Sequence, residues 1–459
     1  MNSNIETASA TKLAEFIRTR RVSPVEVATM LLNGIEQLNP ALNAVVTLSP
    51  RLLDDAREAE RTLMRGDAVG PLHGVPFSVK DTIETAGLRT TSGSVLRADY
   101  VPDRDATVVA RLKAAGAILL GKTNTAEMAM DYTADNPVFG RGNNPHDLTR
   151  TPGGSSGGEA AAIAAGLSVI GVGSDLAGSI RIPAHFCGIA GLKPATARIP
   201  GDGQCPPSAG PYSLGSVIGP LARYCADLQL LFRVMAGTEH QQVDTKETVA
   251  FYTNDDVSPV TSETRAAVEA AAKALADAGF AVEEARPPGV EQALDVWLRL
   301  FSRATVVFLR DYYGGHEEKA GAFIRWRLAT ADDTPPPTLD DYIRSWTERD
   351  RLRAKLIRWM ETKPLLLAPV GAVPALKHDA LKVTVDGKSI SAFRAFSYSQ
   401  AFNAFDLPSV SVPAGRSAEG LPIGVQIAGR PGEEESILAA AQIIEDALGG
   451  AQSPKFAKV

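Results

Sequence analysis

The sequence predicts an α/β protein with a largely parallel or mixed sheet. Three observations carry this. Strand-like and helix-like segments alternate between residues 76 and 173. The strand-like runs are continuously apolar, as strands covered on both faces are. Hydrophobic residues make up 44% of the 459 and charged residues 22%, enough apolar material for a large core.

Each element has a local reason. Residues 11–18 place Leu13, Phe16 and Ile17 at helical spacing. Ser23, Pro24 and Glu26 open a second helix: Ser23 can cap, Pro24 suits the first helical position, and Glu26 completes a capping box. That helix is expected to end near Asn39-Pro40, and the pair suggests an α-hairpin packed on the main body. A strand follows at 44–48. Residues 76–83 read as a strand, 106–115 as a helix, 117–121 as a buried strand, 158–165 as an alanine-rich helix and 168–173 as another buried strand. Beyond residue 238 the character changes. A strand at 249–253 and a long helix at 261–278 precede a helical block, 290–362, that carries Trp297, Trp326, Trp346 and Trp359. That block reads as an insertion or cap over the sheet. Sheet character returns at 365–370 and 423–429, and the last helix is 434–448.

Composition excludes several classes of function. Lys plus Arg is 47 and Asp plus Glu 53, a net charge of −6, which is a poor balance for general nucleic-acid binding. Cys187, Cys205 and Cys225 are odd in number and widely spaced, against a disulfide framework or a thiolate zinc site and for a reducing compartment. The first ten residues are polar and carry Glu6, unlike a signal peptide. The uncharged run 160–174 is too short to span a membrane, and 204–222 is broken by Pro206, Pro207, Pro211 and Pro220. These features read as a cytoplasmic protein.

Three patterns compete for the chemistry. Gly116 to Thr123 satisfies G-x-x-x-x-G-K-T, the phosphate-cradling loop, but its four middle residues, Ala117, Ile118, Leu119 and Leu120, form a strand and no helix follows in place. Gly153 to Gly157 satisfies the G-x-S-x-G nucleophile elbow. The strand that should precede that serine is missing, and His185, His240, His316 and His378 stand in no triad setting. The third pattern is long: Gly74-Val75-Pro76-Phe77-Ser78-Val79-Lys80-Asp81, then Gly153-Gly154-Ser155-Ser156-Gly157-Gly158-Glu159, then Gly173-Ser174-Asp175-Leu176-Ala177-Gly178-Ser179-Ile180-Arg181, closed by Gly191-Leu192-Lys193-Pro194.

In order and spacing this third pattern resembles the amidase signature family, densely over residues 70–230 and more thinly toward both ends. The resemblance implies a large mixed sheet core flanked by helices, one amidase domain over 1–459, a catalytic core at 70–230 and a cap or substrate region at 290–362. It implies a Ser-Ser-Lys triad: Ser179 as nucleophile, Ser155 as the bridging serine beside a cis peptide, and Lys80 as base. Ser156 supports the network. The backbone amides of Leu176, Ala177, Gly178 and Ser179 can converge on one oxyanion. The family more often has glycine where Ala177 stands, so the loop holds if that backbone suits a non-glycine residue. Ala129, Met130 and Asp131 fall where family members line the acyl pocket. Neither metal nor organic cofactor is implied.

The chemistry is coherent from below. Amide hydrolysis needs a nucleophile, a base that later serves as acid, and donors for the oxyanion. A lysine can be that base only when neutral, and burial at the end of an apolar strand favours the neutral form. Strand alternation turns Asp81 away from Lys80. Arg181 is read as a brace for the nucleophile loop, and Cys187 as a small buried hydrophobe. The expected partner is a small-molecule amide, with neither nucleic acid nor membrane, and a homodimer is left open. Two other readings are carried. One is the glutaminase subunit of a tRNA-dependent amidotransferase, disfavoured because residues 195–220 depart from its usual pattern. The other is a non-catalytic binding protein, disfavoured by the intact Lys80, Ser155 and Ser179.

Overall fold

The computed structural model describes residues 5, 7–239, 247–333, 335–451 and 453–454. Glu6 and His240 lie outside them. The strands are β1 Val45–Leu48, β2 Pro76–Lys80, β3 Ile118–Thr123, β4 Ile170–Asp175, β5 Ala190–Lys193, β6 Val217–Ala222, β7 Thr248–Phe251, β8 Ala281–Glu284, β9 Leu365–Pro369, β10 Lys382–Val385, β11 Lys388–Ser391, β12 Ser409–Arg416 and β13 Pro422–Ala428. Eleven of them form one sheet in the order β1-β3-β2-β4-β6-β5-β12-β13-β9-β7-β8, while β10 and β11 make a separate hairpin. The sheet is mixed: β2 runs parallel to β3 and β4, and β4, β6, β5, β12 and β13 alternate antiparallel.

The parallel trio is what positions the site. Parallel neighbours need crossover connections, and helices Thr107–Ala114 and Gly157–Ala164 supply them. Every residue of β2, β3 and β4 is buried, which is why these strands read as unbroken apolar runs. Because β2 and β4 are adjacent and parallel, their C-terminal ends lie at the same edge of the sheet, where open α/β sheets place their ligand sites.

The helices follow the sequence closely. Ser23 caps Val25 N at 3.0 Å, and Glu26 accepts from Ser23 N at 2.8 Å, the anticipated capping box. That helix runs past the expected stop to Leu42 and takes Pro40 into its last turn. The chain is held there by Asn39, whose side chain accepts from Ala44 N and Val45 N and donates to Val45 O. Asn43 ends the helix in the left-handed conformation. The strand expected over 76–83 stops at Lys80, where the chain turns back: Ile83 N donates to Lys80 O at 3.0 Å. Among the described residues of 290–362, helices run over Val290–Trp297, Arg303–Tyr313, Ala322–Ala329 and Leu339–Trp359. Val290–Trp297 and Leu339–Trp359 join an apolar cluster with Phe396, Tyr398 and Phe402, while Leu309, Tyr313 and Ile324 pack in another with Met128.

Candidate active site

Lys80 is the last residue of β2 and is fully buried. Its Nζ lies 2.7 Å from Ser155 Oγ and 3.0 Å from Ser174 Oγ. Ser155 follows a cis Gly154–Ser155 peptide and is fully buried, two residues before the helix that starts at Gly157. Ser174 belongs to β4, beside β2. Burial pulls the Lys80 pKa from an ordinary 10.5 to about 7, against the opposing pull of Asp175 and then Glu159.

Ser179 sits in the turn between β4 and helix Arg181–Cys187. Its main-chain carbonyl accepts from Ser156 N at 3.1 Å, which docks the Ser179 loop on the serine loop. No hydrogen bond joins Ser179 Oγ to Ser155 Oγ among the described residues. Lys80 and Ser155 show no exposure, whereas Ser179 is 6% exposed, so Ser179 is the member of the set open to a substrate.

The peptide planes of the loop 176–179 are fixed one by one. Trp297 Nε1 donates to Leu176 O at 2.9 Å, and Tyr132 OH donates to Ala177 O at 2.8 Å. Ile182 N donates to Gly178 O at 2.7 Å. A trans peptide points its N–H opposite its C=O, so holding each carbonyl aims the next amide. One of those amides is already spent: Gly178 N donates to Asp175 Oδ1 at 2.8 Å, and beyond them Ile180 N donates to Asp175 Oδ2 at 3.1 Å. Of the four amides that sequence reasoning groups together, Gly178 therefore serves the carboxylate below the loop, leaving Leu176, Ala177 and Ser179 as the candidate donors for an oxyanion. Gly178 takes φ of 103°, and a Cβ there would come within 2.6 Å of Ile182 Cδ1. Ala177 has no positive φ, so an alanine suits that position.

Arg181 braces the loop, as its place in the sequence suggests. It is fully buried and bonds Asp175 at 3.1 Å through both Nε and Nη2, Gln426 at 2.8 Å and Asn403 at 2.5 Å. Burial works against the Asp175 charge, but the guanidinium outweighs it and holds the carboxyl well below the usual carboxylate range. The pair sets the floor of the Ser179 loop.

The other sequence-predicted residues divide between the site and the rest of the core. Asp81 turns away to Thr91 N and Oγ1. Ala129, Met130 and Asp131 are half-buried on the segment leading to Tyr132. Met130 packs near Leu309 and Tyr313, Asp131 accepts from Tyr132 N, and none of the three bonds Lys80, Ser155 or Ser179. Lys122, the lysine of the phosphate-loop pattern, lies inside β3, buried and bonded to Ile83 O and Thr85 Oγ1, so no phosphate cradle exists there. His185 accepts from Gly424 N at its Nδ1 and faces Val373 O with Nε2, which leaves neither nitrogen for a serine. Burial pushes the Cys187 thiol far up, and it carries no nucleophile's environment.

Sequence reasoning misses four contributors to the loop and its support. Ser174 and Asp175 stand inside the quoted motif without a role; the spacing of Asp175 and Arg181 across one turn is the signal that could pair them. Tyr132 and Trp297 carry no local signal, since only the tertiary fold brings them to the loop. A further one is Glu159. Its carboxyl accepts from Ser78 Oγ and from Thr123 Oγ1, the latter at 2.6 Å, and burial pushes it up to about 7.

Known proteins resemble this chain over nearly its whole length. The solved structure of 6-aminohexanoate cyclic dimer hydrolase superposes with a TM-score of 0.84 at 28% identity, covering 99% of this chain and 100% of that one. Human fatty-acid amide hydrolase 2 is 32% identical over 96% of this chain and 89% of its own length. A glutamyl-tRNA(Gln) amidotransferase chain from Carboxydothermus hydrogenoformans is 34% identical, over 95% of this chain and 96% of its own. Fold and likeness together define an enzyme of the amide-hydrolase class, acting on carbon–nitrogen bonds. The chain belongs to the amidase signature family: residues 26–438 match the family described as Amidase. Among the described residues no helix is long and apolar enough to cross a membrane, and no group of three or more His, Cys, Asp or Glu could hold a metal ion.

Proposed function

We propose that the protein is a stand-alone amidase that works through an acyl-enzyme on Ser179, with Ser155 as relay and Lys80 as base. The observation that carries the reading is the buried 2.7 Å contact between Ser155 Oγ and a lysine whose pKa is about 7. Ser179 Oγ turns toward Ser155 and attacks the amide carbon. Its proton passes to Ser155 Oγ while the Ser155 proton passes to neutral Lys80 Nζ. The oxyanion takes the free loop amides. On collapse Lys80 returns its proton through Ser155 to the leaving nitrogen, the C–N bond breaks, and ammonia or an amine departs. Water then attacks the acyl-enzyme by the same relay, releasing the acid and Ser179.

In this reading the chain acts as one domain, with residues 290–362 as cap over the site; the bond from Trp297 to Leu176 O supports that role. The three free cysteines support a reducing, cytoplasmic setting. The test is labelling with a fluorophosphonate followed by mass spectrometry. The adduct is expected on Ser179 and absent from Ser179→Ala; an adduct on Ser155 overturns the assignment. The amidotransferase reading keeps a place because of the 34% identical relative, and co-purifying partner chains with glutaminase activity would establish it.

A further inference from the structure

We propose that Glu159 is a positioning residue for the base: its carboxylate is the counter-charge that Lys80 meets each time it takes the proton from Ser155. This deepens the proposed function and rests on Lys80 being the base.

The placement comes from the sheet. Ser78 and Lys80 are two apart on β2 and share a face, and Thr123 on β3 is the register partner of Lys80. The Glu159 carboxyl lies over this face and is fastened at both oxygens: Oε1 accepts from Ser78 Oγ and Oε2 from Thr123 Oγ1. Its two anchors therefore flank Lys80, one earlier on the same strand and one beside it on the next. Gly171 on β4, in register with Ser78, leaves the room, since a Cβ there would collide with Oε1. One short segment supplies both Ser155, which bonds Lys80 Nζ at 2.7 Å, and the fully buried Glu159 at the start of the helix.

The carboxyl has no cation of its own. Among the described residues it makes no ion pair, and its side-chain hydrogen bonds come from hydroxyls alone. A tie between helix and sheet can be made by an uncharged side chain at less cost, because a buried carboxylate without a cation is expensive. The charged groups facing it are Lys122 and Lys80. Strand alternation turns Lys122 to the other face of β3, where it bonds Ile83 O and Thr85 Oγ1 and has Asp81 as its own carboxylate. Lys80 in turn faces Asp175 and Glu159. Asp175 is held by Arg181 at 3.1 Å, so Glu159 is the one of the two whose charge is not already balanced. Burial pulls Lys80 down to about 7 and pushes Glu159 up to about 7, so both groups change charge in one pH range. A carboxylate nearby favours the ammonium: it lifts Lys80 against the pull of burial and steadies the positive charge formed in the transfer. Without it the lysine is a weaker base that loses its proton at lower pH.

The experiment follows fluorophosphonate labelling of Ser179 in the full-length enzyme from about pH 5 to about pH 9. In the wild type the rate constant should rise with pH along a limb that is absent from Lys80→Met. Glu159→Gln, which keeps the shape and removes the charge, should move the midpoint of that limb down by about half a unit to one unit and lower the plateau about threefold to tenfold. Thr123→Val removes one donor to the carboxylate and disfavours its charged form. It should move the midpoint the same way by less, and it decides the matter where the glutamine variant does not fold. A purely structural tie would change the melting temperature or the labelled fraction and leave the midpoint in place. That result in a folded variant, or a midpoint moved to higher pH, overturns the inference, while a Lys80-dependent limb in the wild type preserves the proposed function. Wild-type labelling without such a limb overturns both.

Discussion

Replacing Lys80 by methionine should make the protein more stable at low pH and nearly inactive at every pH. The displacement of the Lys80 pKa from 10.5 to about 7 corresponds to about 5 kcal/mol of penalty on the ammonium form. Between pH 7 and 10.5 the unfolded chain binds the extra proton, so stability rises with pH across that window, and below pH 7 the whole penalty burdens the fold. Methionine removes it. The loss of the hydrogen bonds to Ser155 and Ser174 offsets about 1–1.5 kcal/mol each, leaving Lys80→Met more stable by about 2–3 kcal/mol at pH 6. The gain should reach zero at about pH 9 and reverse by pH 10.5, where the penalty is gone and only the lost hydrogen bonds remain. Urea unfolding at a series of pH values reads this directly. In the wild type kcat/KM should rise about tenfold per pH unit below 7 and level off above it, as the neutral amine accumulates. Lys80→Met should lose that limb and about two to four orders of magnitude in rate. Lys80→Arg should fail nearly as badly, since guanidinium stays protonated. A folded Lys80→Arg enzyme with the wild-type pH profile, or a Lys80→Met whose stability difference does not change with pH, refutes the reasoning.

Other substitutions test the surrounding frame. Arg181→Met leaves the Asp175 carboxylate buried without its cation and should cost about 3–5 kcal/mol, seen as a lower urea midpoint. Trp297→Phe keeps the ring and removes the donor to Leu176 O; kcat should fall more than KM rises, because the loop amide it aims loses its constraint. Gly171→Ala puts a Cβ onto Glu159 Oε1, so it should destabilise the fold by about 1–3 kcal/mol, and pairing it with Glu159→Ala should recover part of that in a double-mutant cycle. Burial holds His185 neutral to about 4, so the fold should lose about 3 kcal/mol through this group as pH falls from 6.5 to 4. His185→Gln should remove that share and leave the Lys80-dependent limb of the activity profile in place.

What is legible in the sequence depends on how local its cause is. The capping box at Ser23 and the apolar runs of β2, β3 and β4 are set by neighbouring residues, and they appear within a few residues of their expected places. Pro40 reads as a stop, yet a proline in the last turn forfeits little, and the Asn39 side chain supplies the bonds that carry the chain onward to β1. Strands β5 and β6 escape a local reading, because their order in the sheet comes from long-range pairing. At the site the motif order brings Lys80, Ser155 and Ser179 onto one sheet edge. It cannot show that Asp175 takes the Gly178 amide, since that bond depends on the turn's geometry and on Arg181 beneath it.

The sharpest discrimination comes from comparing the cations that this sheet buries. Lys80, Lys122, Lys193 and Arg181 are all fully buried, so desolvation bears on each of them, and burial alone does not mark the base. Their partners do. Arg181 is neutralised by a carboxylate. Lys193 bonds two main-chain carbonyls, which accept but have no proton to give. Lys122 bonds Ile83 O and the Thr85 hydroxyl, and that hydroxyl is itself donated to Ile83 O at 3.3 Å. Lys80 bonds serine hydroxyls on both sides, each able to donate as well as accept, and one of them belongs to the loop on which Ser179 is docked. Its pKa of about 7 lies below the value of about 8 reached by Lys122 and Lys193. A lysine surrounded by acceptors is held as a donor; a lysine surrounded by hydroxyls can take a proton and return it. Only Lys80 meets that condition among these four, and the condition follows from its place at the end of β2, where its side chain reaches Ser174 on the neighbouring β4 and Ser155 on the serine loop.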